Sequence, residues 1–175
     1  MPTLQPNERS QTFFRPSKYA APMNRLGFLL SVMLFAGCTP GGLPAAGGGS
    51  SAATVTIDVN LTNHGSLAPT PGGQGLGYAP IVATVAVGTT IRFTNSDGFL
   101  HTATSLGSAT TFPSGNPFSP SQLTQSGTTL SGGWSSGDLP AGSSSQSLLA
   151  DKPGTYLYGC VHHYFASMRA AIVVH

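Results

Sequence analysis

From residue 54 onward, apolar and polar positions alternate in short runs. Thr54-Val-Thr-Ile-Asp-Val-Asn-Leu61 sends Val55, Ile57, Val59 and Leu61 to one side of an extended chain and its polar residues to the other. Residues 81–87 and 89–94 are rich in β-branched side chains and are separated by Gly88. Residues 145–149, 154–159 and 170–175 complete the predicted strands. No stretch of this region has a helical period. Short strands broken by Gly, Pro, Asn and Ser predict an all-β domain over residues 54–175, an antiparallel sandwich of ordinary size. Residues 103–134, dominated by Ser, Thr, Gly and Pro, are expected to be mostly loop with one short strand. That is long for a loop in a compact domain.

The chain before residue 54 has a different grammar. Residues 1–22 are polar and rich in proline, and Met23 is a candidate start that would leave them as an extension. Residues 23–37 pair Arg25 with the apolar run Leu26–Ala36 and end in small residues, the pattern of an export signal. A run of eleven residues is too short to cross a bilayer as a helix. Ala36-Gly37-Cys38 resembles the lipobox of bacterial lipoproteins, which implies that Cys38 carries lipid and that the protein is exported to the periplasm or cell surface on a membrane anchor. Residues 38–53 continue as a Gly/Ser/Pro/Ala-rich tether.

Cys38 and Cys160 are the two cysteines. A bridge between them would tie a floppy tether to the folded domain, so Cys160 is read as the domain's sole thiol. An unpaired thiol in an oxidising compartment is a liability unless a metal holds it as thiolate. The precursor has a net charge of +2, but from Cys38 onward three basic residues (Arg92, Lys152, Arg169) face four acidic ones (Asp58, Asp97, Asp138, Asp151). Nothing here suggests a nucleic-acid footprint or a polybasic membrane patch. The chain has neither a Cys-x-x-Cys-His haem motif nor a nucleotide-binding glycine pattern.

The richest chemistry lies near the C-terminus, in Tyr158-Gly-Cys160-Val-His-His163-Tyr-Phe-Ala-Ser-Met168. Thiolate, imidazole and thioether spaced Cys-x2-His-x4-Met form a soft donor set that favours copper. A second imidazole would complete a His2Cys site with a weak axial Met, and His101 is the upstream candidate. Either His162 or His163 could ligate, since adjacent residues on an extended backbone point opposite ways; spacing favours His163. A thioether is a poor zinc ligand.

Residues 78–175 resemble a small cupredoxin of the plastocyanin and pseudoazurin kind. Val87-Gly-Thr-Thr-Ile-Arg-Phe-Thr-Asn-Ser-Asp-Gly-Phe-Leu-His101 and residues 152–168 carry that resemblance. It implies a Greek-key β-sandwich and one type 1 copper ion. His101, Cys160 and His163 would be the equatorial ligands and Met168 the axial one, with the Leu100 carbonyl on the opposite side. The function implied is single-electron transfer rather than catalysis. Partners would be c-type cytochromes, oxidases or reductases that dock on an apolar rim of His163, Tyr164, Phe165 and Leu100.

The chain departs from that family in two places. Val161 stands where a small polar residue is usual, so Thr102 is expected to brace the ligand loop. His162 stands where proline is common, and its N–H is expected to donate to the Cys160 sulfur. His64 is expected to be a solvated surface residue, His175 to be frayed, and Trp134 to anchor the long loop. Copper storage, sensing or delivery is the alternative function. A two-copper enzyme would need more ligands than His64 and His175 provide.

Overall fold

The computed structural model describes residues 52–175. The export segment, Cys38 and the tether up to residue 51 lie outside the described residues. Ten strands follow in order: β1 (Thr54–Val59), β2 (Ala68–Thr70), β3 (Gly73–Gly75), β4 (Tyr78–Ala79), β5 (Val82–Val85), β6 (Thr90–Asn95), β7 (Thr104–Ser105), β8 (Leu148–Leu149), β9 (Gly154–Gly159) and β10 (Arg169–Val174). Two 3-10 turns, Pro120–Leu123 and Tyr164–Ala166, complete the regular structure among the described residues.

Eight strands form two four-stranded sheets, in the orders β4-β1-β6-β8 and β5-β10-β9-β7, and β2-β3 makes a separate hairpin. The alternation read in residues 54–61 becomes inward packing, with Ile57 and Val59 fully buried. Ile91, Phe93 and Leu148 join them from the first sheet; Ala83, Val85, Tyr158, Ala170 and Ile172 face them from the second in one core. Phe93 and Tyr158 meet across the sandwich edge to face, with ring centroids 5.2 Å apart.

The expected sandwich is present, but it is not antiparallel throughout. β1 pairs with β6 in parallel, Thr54 opposite Thr90, and β5 pairs in parallel with β10, Val82 opposite Ala171. Parallel neighbours need long crossovers, and both pairs are joined by chain that passes through other strands of the sandwich. The β2-β3 hairpin and β4 were not expected. Pro69, Gly73, Gln74 and Gly75 give almost no β signal, and the hairpin is held instead by its turn and by the close approach of β3 to β10.

The long loop is well tied down. The Ser105 N–H donates to the Trp134 carbonyl (2.9 Å), Ser126 and Ser135 exchange backbone bonds, and the Leu130 N–H reaches the Leu149 carbonyl. Trp134 is buried and stacks on Phe93 at 5.3 Å, so it anchors the loop as expected. His175 is not frayed at its backbone, which exchanges hydrogen bonds with Val85 and Val87.

Candidate metal centre

Three chain segments converge at one end of the sandwich. His101 follows β6 through the turn Ser96–Leu100 and is fixed by two backbone hydrogen bonds with Leu139. Asn95 shapes that turn, because its side-chain amide donates to the Phe99 and Leu139 carbonyls at 2.7 Å each. Cys160 ends β9, and Met168 leads into β10. The Cys160 N–H donates to the Met168 carbonyl (2.9 Å), and the Met168 N–H donates to the His163 carbonyl (3.3 Å). His163 opens the short 3-10 turn, which ends at Ser167 in the left-handed region (φ 64°). The ligand loop is therefore a closed, hydrogen-bonded unit between two strands.

This folding brings His101, Cys160 and His163 together as a group that could hold a metal ion. The Nδ1 atoms of His101 and His163 are 3.1 Å apart, and the Cys160 Sγ lies 3.8 Å from the first and 3.5 Å from the second. The point equidistant from these three atoms is about 2.0 Å from each. Metal–imidazole bonds are ~2.0–2.1 Å and metal–thiolate bonds ~2.3 Å for an ion of this size, so the cradle already has a suitable size. His101 and Cys160 are fully buried.

Met168 is fully buried, and its backbone is bonded to those of Cys160 and His163. Its side chain passes against Gly77 (φ +81°), where a Cβ would come within 2.6 Å of the Met168 Cγ. Only glycine leaves room for the thioether at that point.

The surroundings suit a cation. Burial pushes the Cys160 thiol up, and backbone N–H groups of Thr102, His163 and His162 offset part of that rise. Of these, only the Thr102 N–H makes a hydrogen bond to the sulfur, and the His162 imidazole pairs with Asp138 (2.8 Å). Burial, with the neighbouring His101 and His162, holds His163 below its ordinary value and keeps it neutral for ligation. Thr102 braces the loop as expected: its hydroxyl accepts the Val161 N–H at 2.8 Å, and its own N–H points at the Cys160 sulfur at 3.4 Å.

Asp97 was missed in the sequence. Its carboxylate lies 3.1 Å from His101 Nε2 and also accepts from the backbone of Leu61, Thr62 and Gly98 and the Thr62 hydroxyl. Burial alone would raise this carboxyl, but the bonds from His101, Thr62 and Gly98 outweigh it and hold the group well below the usual carboxylate range. Its position four residues before His101 in Asn95-Ser-Asp97-Gly98 was the available signal.

Two other placements differ from expectation. Tyr164 is buried rather than on the rim, because its ring meets Phe118 edge-on at 5.5 Å and its hydroxyl donates to the Pro113 carbonyl. Phe165, Phe99 and Leu100 are the exposed apolar residues of these loops. His64 is half-buried and pairs with Asp58 at 2.9 Å rather than standing free in solvent.

No family model matches this sequence, and no curated protein matches it. Solved structures do resemble it. A purple cupredoxin from Nitrosopumilus maritimus is 19% identical, with 69% of this chain and 98% of that chain covered and a TM-score of 0.42. A proline-to-glycine variant of oxidised amicyanin is 19% identical over 75% of this chain and 89% of that one, with a TM-score of 0.42. A methionine-to-lysine variant of oxidised amicyanin is 17% identical over 70% and 82%, at 0.41. What this centre can hold follows from its own atoms, two imidazole nitrogens and one sulfur.

Proposed function

We propose that this protein is an exported single-electron carrier of the cupredoxin kind, not an enzyme, with one type 1 copper ion. His101, Cys160 and His163 would hold the metal and Met168 would be its weak axial donor. The observation that carries this reading is the triangle of two Nδ1 atoms and one Sγ, with sides of 3.1, 3.5 and 3.8 Å. Bound copper supplies the Cu(II)/Cu(I) couple. The protein supplies a donor set that mixes thiolate with imidazole, the softness that selects copper among available ions.

Rigidity supports the carrier role. Hydrogen bonds from Leu139, Thr102 and Met168 hold the ligands in place without a metal, so little needs to rearrange when an electron arrives. Burial of His101 and Cys160 argues against storage or delivery, which needs an exchangeable and more open site. Electrons would pass through the half-buried His163 ring. The exposed Phe165, Phe99 and Leu100 would form the docking rim for a c-type cytochrome, oxidase or reductase. Lipid on Cys38 would hold the domain at a membrane outside the cytoplasm.

The test is to add Cu(II) to the purified protein and record its visible spectrum, with Cys160→Ser alongside. An intense thiolate-to-copper band, absent in the variant and reversibly bleached by a reductant, is the expected result. Copper uptake without that band would favour storage or delivery, and no uptake would overturn the metal assignment.

A further inference from the structure

The Asp97–His101 contact is the one buried charge interaction at the centre that the ligand motif does not require. Asp97 and His101 are both almost wholly buried, with side chains 4% and 0% exposed. Two Oδ atoms accept bonds from Leu61, Thr62, Gly98 and His101, and every donor apart from the imidazole is neutral. The carboxylate is therefore held in place by neutral backbone and hydroxyl donors beside the imidazole, and no Lys or Arg is among them.

Two consequences follow. A carboxylate can only accept, so a neutral His101 must carry its proton on Nε2, and Nδ1 is left with its lone pair toward Cys160 and His163. The second consequence is one of charge. With a thiolate at Cys160 and a carboxylate at Asp97, a divalent ion makes the buried group neutral, whereas a monovalent ion leaves it with one net negative charge. Uncompensated charge in a low-dielectric interior is costly.

Resting on the copper reading above, we propose that Asp97 is a positioning residue that fixes the His101 tautomer and makes the centre favour a divalent over a monovalent ion.

Asp97→Asn is the informative change, since the amide oxygen can still accept from His101 while the charge is lost. The midpoint potential of the copper-loaded protein, measured at an electrode, should rise by at least about 59 mV, a tenfold shift toward Cu(I) in a one-electron equilibrium. In parallel, affinity for Zn(II), which is redox-inert, should fall at least tenfold more than affinity for Cu(I). An unchanged or lower midpoint, or equal losses for the two ions, would overturn the proposal.

Nitrogen NMR of the metal-free wild type gives a readout that needs no copper. His101 should be protonated at Nε2, and Asp97→Ala should release that preference. A proton on Nδ1 in the wild type would overturn the proposal even if the protein binds copper. If the wild type fails to bind copper, the carrier reading falls, while the His101 tautomer still decides whether Asp97 positions that ring. Circular dichroism of both variants separates a folding defect from loss of tuning.

Discussion

The chemistry of the centre is set by a few atoms whose states depend on burial. Without a cation, Cys160 is a protonated thiol at neutral pH, because burial raises it, and His163 is neutral, because burial lowers it. Copper binding at pH 7 should then release a proton from the thiol and none from His163. Calorimetric titrations in buffers of different ionisation enthalpy would count it, and release of two would mean that an imidazole also loses a proton. The Thr102 N–H points at the same sulfur, and that of His162 is expected to do so. Thr102→Val leaves the Val161 N–H without its acceptor and should cost about 1 kcal/mol in chemical unfolding. His162→Pro removes one N–H and should lower the midpoint potential, the expectation being that this donor disperses thiolate charge; no change, or a rise, would contradict it.

The ligand loop works as an element because neighbouring chain buttresses it. The Asn116 amide donates to the Val161 carbonyl at 2.9 Å, Phe118 and Pro113 hold Tyr164, and the Arg169 guanidinium lies 4.9 Å from the Phe112 ring and 5.5 Å from that of Tyr164. The Ser- and Gly-rich segment is thus a wall of the centre. Gly77→Ala should disturb the same element from below. It puts a methyl group against the Met168 side chain and forces an L-residue to positive φ, costing roughly 1–3 kcal/mol and altering the spectrum of the loaded site. An unchanged spectrum would mean that Met168 does not contribute. His101, Cys160 and His163, which the fold does bring together, could be picked out in the sequence because donor type and spacing are local properties, as could Met168 as a candidate. Asp97 offered only its place four residues before His101, and Asn116 no signal at all, since a lone Asp or Asn acquires its full meaning only when remote segments meet it. The strands with alternating apolar residues were legible for the same local reason, whereas β2, β3 and β4 depend on long-range pairing.

At the scale of the whole domain, the buried ionisable groups predict how the metal-free protein responds to pH. His163 has a depressed value, so its contribution is present above its ordinary 6.5 and is lost as pH falls through the folded value. Cys160 has a raised value, so its contribution is present below its ordinary 9.0 and is lost as pH rises through the folded value. The thermal midpoint should therefore be highest between about pH 6.5 and 9 and decline on both sides; a midpoint that climbs beyond pH 9 would be inconsistent with a buried thiol. The parallel pairs β1–β6 and β5–β10 join distant parts of the chain, which the alternation pattern could not specify. Trp134 also gives the domain an optical property. It is the only tryptophan, it lies against Phe93 and 5.7 Å from Tyr158, and its indole N–H has no hydrogen-bond partner among the described residues. An indole so shielded has few dipoles to reorient around its excited state, so its emission should be narrow and shifted to the blue, and a red shift would signal the moment the two sheets part.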